Sequence, residues 1–115
     1  NIHKMDLINI YKLFINNNNL KSGCYNAGFE NISILQIAEL VKKHIPSEIV
    51  VTESNDPRSY RQDSSKLMGT GFSPQYCIED AIEEIKNKFL AGELLANDSC
   101  YTVRWMKNLN LDKLK

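Results

Sequence analysis

Apolar residues recur at helical spacing in three stretches of the chain and at strand-like density in another. Leu7, Ile8, Ile10, Tyr11 and Phe14 follow Asp6. They predict a helix buried around much of its circumference, with Asp6 as its cap or as a charge suited to its N-terminus. The run Asn16 to Asn19, followed by Gly23, ends that pattern in residues that favour turns. Cys24 to Gly28 reads as a short strand entering a turn. Ser33-x-x-Gln36 forms a capping box, behind which Ile34, Ile37, Ala38, Val41 and Ile45 fall at three- and four-residue steps. That helix carries Lys42, Lys43 and His44 at its negative end and stops at Pro46.

Glu48-Ile49-Val50-Val51-Thr52 predicts a β-branched strand. Glu53 to Gln62 is polar, contains the turn-forming pair Asp56-Pro57, and reads as a loop. Asp63 or Ser64 then caps a short helix through Met68, halted by Gly69, Thr70 and Gly71. The last strong helix is expected from about Ile78 to Leu90, with Ile78, Ala81, Ile82, Ile85 and Phe89 on one stripe and Gly92 at its end. Tyr101 to Met106 is apolar enough to dock and β-prone at its start. The series implies an α/β fold: a small mixed α/β lobe, one domain over residues 1–115.

Charge narrows the partners. Lysine plus arginine and aspartate plus glutamate number 14 each, so no global field draws the chain to nucleic acid or to an anionic membrane. No apolar run approaches the roughly 18 to 20 residues that span a bilayer, and the start lacks a signal-peptide pattern. Cys24, Cys77 and Cys100 fit neither a disulfide framework nor a zinc site, which suits reduced thiols and a cytoplasmic setting. Two glycosylation sequons, at Asn31 and Asn97, are short enough to be incidental.

The stretch from Asp56 to Lys66 is where polar, charged and aromatic residues concentrate between structured elements. Arginine presents a planar fork of donors that can clamp two phosphate oxygens. Arg58 and Arg61 flank Tyr60. In an extended segment their side chains diverge, so both meet one anion only where the loop curls. Ion pairing of the two arginines with Glu53, Asp56 or Asp63 on a solvated surface is the competing reading.

Several motifs stand in a recognisable order: Ile2-His3-Lys4-Met5-Asp6-Leu7, Tyr25-Asn26-Ala27-Gly28, Asp56-Pro57-Arg58-Ser59-Tyr60, Asp63-Ser64-Ser65-Lys66, Gly71-Phe72-Ser73-Pro74, and the helix opened by Ile78-Glu79-Asp80-Ala81. In order and gaps they resemble the C-terminal, substrate-binding part of extended short-chain dehydrogenase/reductase enzymes, the NAD-dependent sugar-nucleotide epimerases and dehydratases. Lys4 departs from the family's pattern, which has an apolar residue there. The resemblance implies that Arg58 first and Arg61 second contact the diphosphate of a nucleotide-diphosphate sugar, with Tyr60 between them as a further substrate-binding residue. It also implies structural roles near the site for His3, Asp6, Asn26, Asp63 and Lys66. His3 and Asp6 would fix a helix entry, Asn26 would pin a loop, and Lys66 would pair with a carboxylate or a helix end.

The family's NAD or NADP site is a glycine-rich turn, and its catalytic tyrosine and lysine form Y-x-x-x-K. Gly23, Gly28, Gly69, Gly71 and Gly92 form no such turn, and none of the five tyrosines has lysine four residues later. No catalytic residue is therefore assigned, and no cofactor or metal is expected on these residues. The resemblance places NAD in an N-terminal Rossmann domain outside them and makes that domain a partner, with self-association through the first helix or the tail. A free-standing α/β binding or interaction module, or the same lobe of a nucleotide-sugar reductase, remains as an alternative.

Overall fold

The computed structural model describes residues 1–53 and 59–109. In chain order they form α1 (Lys4–Asn16), α2 (Ile34–His44), α3 (Ser65–Met68), α4 (Ile78–Leu90), a single 3-10 turn (Asp98–Cys100) and α5 (Thr102–Asn108). The chain divides into two compact units at a boundary inside α4, between Glu84 and Ile85. No helix among the described residues is long and apolar enough to cross a membrane.

No strand forms among the described residues, so the expected α/β lobe is corrected to a helical architecture. A strand exists only through a partner that takes up its backbone groups. Cys24 to Gly28 gives its groups to side chains instead: the Cys24 carbonyl accepts from Lys66, and the Gly28 N–H and carbonyl both bond to the Ser64 hydroxyl. Glu48 to Thr52 has no backbone partner among the described residues, and Val50 and Val51 stand 74% and 83% exposed. β-Branched composition favours a pleated, half-buried surface, and among the described residues this segment has none to join. The expected β-prone start of the tail is likewise helical, as α5.

The helical expectations fare better, because their signals are local. α2 begins with the capping box complete: Gln36 N–H donates to Ser33 Oγ at 3.1 Å, and Ser33 N–H donates to Gln36 Oε1 at 2.7 Å. α3 stops at Gly69, and α4 gives way to a turn at Gly92, whose φ of 73° a side chain would strain. α1 departs in two ways. Its cap is His3, whose Nδ1 accepts the Met5 N–H at 3.2 Å, while Asp6 lies within the first turn. Its circumference is also mostly open, since only Asp6 and Ile10 are buried and Ile15 is 74% exposed.

The first unit has a small mixed core. Ile10, Leu67 and Ile82 are its buried apolar side chains, and His3, Asp6 and Ser64 are buried polar ones. A core so composed is stable only where each polar atom finds a partner. None among the described residues lacks one. The fully buried Asp6 accepts from the Gln75 N–H at 3.0 Å and from the Tyr76 N–H at 3.1 Å, which ties the first helix to a turn some seventy positions later. The His3 ring stacks on Tyr76 at 4.6 Å, and Phe29 stacks on Phe72 at 5.6 Å.

Charge joins α2 to α4. Glu79 Oε1 lies 2.7 Å from Lys43 Nζ and 2.6 Å from His44 Nε2, pairing the basic last turn of one helix with the acidic first turn of the other. The Lys43 and His44 hydrogen bonds hold the Glu79 carboxyl below its ordinary pKa, and the bond to Glu79 raises that of Lys43. The start of α4 is closed by two further carboxylates. Glu30 Oε2 accepts the Ile78 N–H at 2.5 Å, and Asp80 Oδ2 accepts the Cys77 N–H at 2.7 Å. The second unit is held locally, by Lys88 on Glu93 at 2.9 Å and Arg104 on Asp98 at 3.3 Å.

Replacing Asp6 by alanine removes a charged acceptor and leaves two backbone donors without it. Asp6→Ala is expected to lower unfolding stability by about 3 kcal/mol. Urea denaturation measures this, and a loss below about 1 kcal/mol would show that the turn finds other acceptors.

Candidate functional site

The arginine loop is supported from its C-terminal side by four attachments, at residues 62, 63, 64 and 66. The Asn31 side-chain amide brackets the backbone of Gln62, donating to its carbonyl and accepting its N–H, both at 3.0 Å. Asn26 Nδ2 donates to the Asp63 carbonyl at 3.1 Å. The buried Ser64 Oγ accepts the Gly28 N–H at 3.0 Å and donates to the Gly28 carbonyl at 2.9 Å. Lys66 Nζ donates to the Cys24 carbonyl at 2.8 Å and stands 4.2 Å above the Tyr25 ring. Residues 62–66 are thereby fixed to residues 24–31 by side chains, where a sheet would have used ladder bonds.

Two of these residues act differently from what their spacing suggests. Lys66 engages a carbonyl and an aromatic face, in place of the expected carboxylate or helix end. Asp63 Oδ1 accepts the Ser65 hydroxyl at 2.5 Å and the Ser65 N–H at 2.8 Å, organising the entry to α3. Those bonds, the hydroxyl's first, hold its carboxyl below the ordinary range. Ser64, the other expected cap, makes no capping bond and turns inward to Gly28.

Tyr60 and Arg61 lie immediately ahead of this fixed segment and are exposed. Arg58 lies outside the described residues. The structure thus brings Asn26, Asp63 and Lys66 together just after Tyr60 and Arg61, and it groups His3 and Asp6 separately at the start of α1. The two groups are linked through residues 28–30: the Asn1 carbonyl accepts the Phe29 N–H at 2.9 Å, and Asn1 Nδ2 donates to the Glu30 carbonyl at 3.0 Å. An exposed guanidinium on a fixed base is suited to a multivalent anion, because little of the support must be ordered on binding.

The groove of ≈ 480 Å³ between α2 and the start of α4 is a poorer home for such an anion. Its lining includes Glu30, Glu39 and Glu79 against Lys43 alone. No group of histidine, cysteine, aspartate or glutamate among the described residues could hold a metal ion. Cys24, Cys77 and Cys100 are free and exposed.

Sequence reasoning passed over Ser64 as a bonding centre, Asn31 except as a sequon, and Glu30 altogether. Each acts on backbone more than thirty positions away, and single-residue propensity carries no trace of such a partner. Gly28 belongs to a motif, and a Cβ there would displace the exposed Gln62 side-chain amide, whose Oε1 lies 2.2 Å from that position. No family model matches the chain, and no solved structure matches it either.

Ser64→Ala leaves both backbone groups of Gly28 without their partner in a buried setting, and a loss of about 2 kcal/mol is expected from denaturant titration. Acid should act on three carboxylates of the first unit. Asp63, Glu79 and Asp80 all have folded pKa values below their ordinary ones. The stability they contribute is therefore full above the ordinary carboxylate range and lost as pH falls through about 4 and below. Thermal unfolding midpoints measured from pH 7 down to pH 3 should decline in that window. A flat profile would show that these bonds do not distinguish the folded chain.

Proposed function

We propose that these residues form the substrate-binding region of an NAD-dependent nucleotide-sugar epimerase or dehydratase of the extended short-chain dehydrogenase/reductase kind, working in the cytoplasm. The observation that carries this reading is the bonding among the motif residues. Asp6 reaches the turn after Gly71-Phe72-Ser73-Pro74, Asn26 reaches Asp63, and Lys66 reaches the carbonyl before Tyr25. Elements that the resemblance treats as separate signatures thus meet pairwise in space. They meet at residues 62–66, directly after Arg61, and beside the first helix, where a substrate-side role would need support. The reading keeps the function and gives up the mixed sheet.

In this reading Arg61 and Arg58 grip the diphosphate, and Tyr60 offers its ring or hydroxyl beside them. NAD or NADP, bound by a Rossmann domain outside these residues, would supply the hydride transfer. The contribution of the residues described is orientation: fixing one end of the substrate confines the sugar to a productive arc. A reductase using the same grip would differ in reaction alone.

Calorimetric titration of the chain with several nucleotide-diphosphate sugars tests the proposal. Weak binding is expected, reduced about tenfold or more in Arg58→Ala and in Arg61→Ala, as suits the loss of a charge-assisted pair. Identical heats for the unaltered chain and both variants would remove the arginines from any site.

A further inference from the structure

A histidine that caps a helix through a ring nitrogen can do so only while that nitrogen is bare. At the start of α1 the Met5 N–H lies 3.2 Å from His3 Nδ1. A backbone N–H is always the donor, so Nδ1 must offer its lone pair and the ring proton must sit on Nε2. Nε2 faces Glu84 Oε2 at 3.3 Å. The imidazole is therefore divided between two helices, accepting from α1 and donating toward α4. Its side chain is 5% exposed, so water does not readily replace either partner.

We propose that His3 is a proton-operated latch: neutral, it caps α1, and doubly protonated, it releases that cap while tightening its hold on α4. A second proton must go to Nδ1, which then opposes its own N–H to that of Met5. It also places a cation at the positive end of a helix. The charge that breaks the cap strengthens the pair with Glu84 across α4. Glu84 faces the ring from α4, and a charge on the ring would lower the Asp80 carboxyl further, after the Cys77 bonds that hold it down. Tyr76 stacks on the ring at 4.6 Å with 19° between planes, and Lys4 of α1 shares the Glu84 carboxylate. Asp6 stands one position beyond Met5 and engages Gln75 and Tyr76, so a loosened first turn is felt at the turn that leads into α4.

The chain's other histidine works in the opposite sense. His44 presents its two ring nitrogens to Glu79 at 2.6 Å and Glu83 at 3.4 Å, so a second proton there strengthens contact on both sides. The effect of His3 is therefore read in a His44→Gln background as well as in the unaltered chain.

Nitrogen-15 spectra of the imidazole, recorded with amide exchange of Met5 from pH 8 to pH 5, decide the matter. The expected result is a bare Nδ1 in the neutral ring. As His3 takes its second proton, the protection of the Met5 amide, corrected for intrinsic exchange, should fall about fivefold, the equivalent of one helix cap. His3→Asn, whose side-chain oxygen caps without a titrating proton, should show no such fall. The latch is overturned by a proton on Nδ1 in the neutral ring, by a ring that takes no second proton in this range, by Met5 protection that ignores the titration, or by an equal fall in His3→Asn.

Discussion

The carboxylate of Asp6 has no surface of its own in contact with water, and the N–H groups of Gln75 and Tyr76 are what it has in place of solvent. Almost everything in the first unit is arranged around that substitution. It fixes α1 against the turn before α4, brings Tyr76 over the His3 ring, and lets α4 start where Glu30 and Asp80 can close its first N–H groups. Buried polar contacts of this sort specify geometry more sharply than apolar ones, since a misplaced partner leaves a desolvated group behind.

That specificity matters because the apolar core is slight. Ile10, Leu67 and Ile82 cannot by themselves select one arrangement of four helices. Selection falls to directional bonds: a hydroxyl on Gly28, an amide across Gln62, an ammonium on the Cys24 carbonyl. Arg61 sits at the edge of the segment these bonds fix, directly before Gln62.

Local signals in the sequence translated well into structure, and signals that need a partner did not. The capping box at Ser33, the glycine stops at Gly69 and Gly92 and the apolar periodicity of Ile78 to Leu90 each depend on neighbours within a turn or two, so they are visible in a short window. Strand propensity at Ile49 to Thr52 describes a surface waiting for a neighbour, and composition cannot say whether one arrives. The same limit explains the site. Asn26, Asp63 and Lys66 could be marked as supports through their motif, while the partners of Ser64, Asn31 and Glu30 lie more than thirty residues away. For His3 and Asp6 the sequence suggested a helix entry and left Asp6 as cap or as first-turn charge; the structure makes it the charge and gives the cap to His3. A histidine lone pair is a less familiar cap than a carboxylate, and the carboxylate was needed elsewhere.

The hydroxyl of Ser64 has a consequence beyond holding the loop. An extended segment with a bare donor and acceptor is a template on which a foreign strand can add itself, and such exposed edges seed aggregation. At Gly28 both groups are already occupied by one side chain. A single oxygen thus spoils the register for an incoming chain at the end of the Cys24 to Gly28 segment, and it does so without a proline, a bulge or a charge.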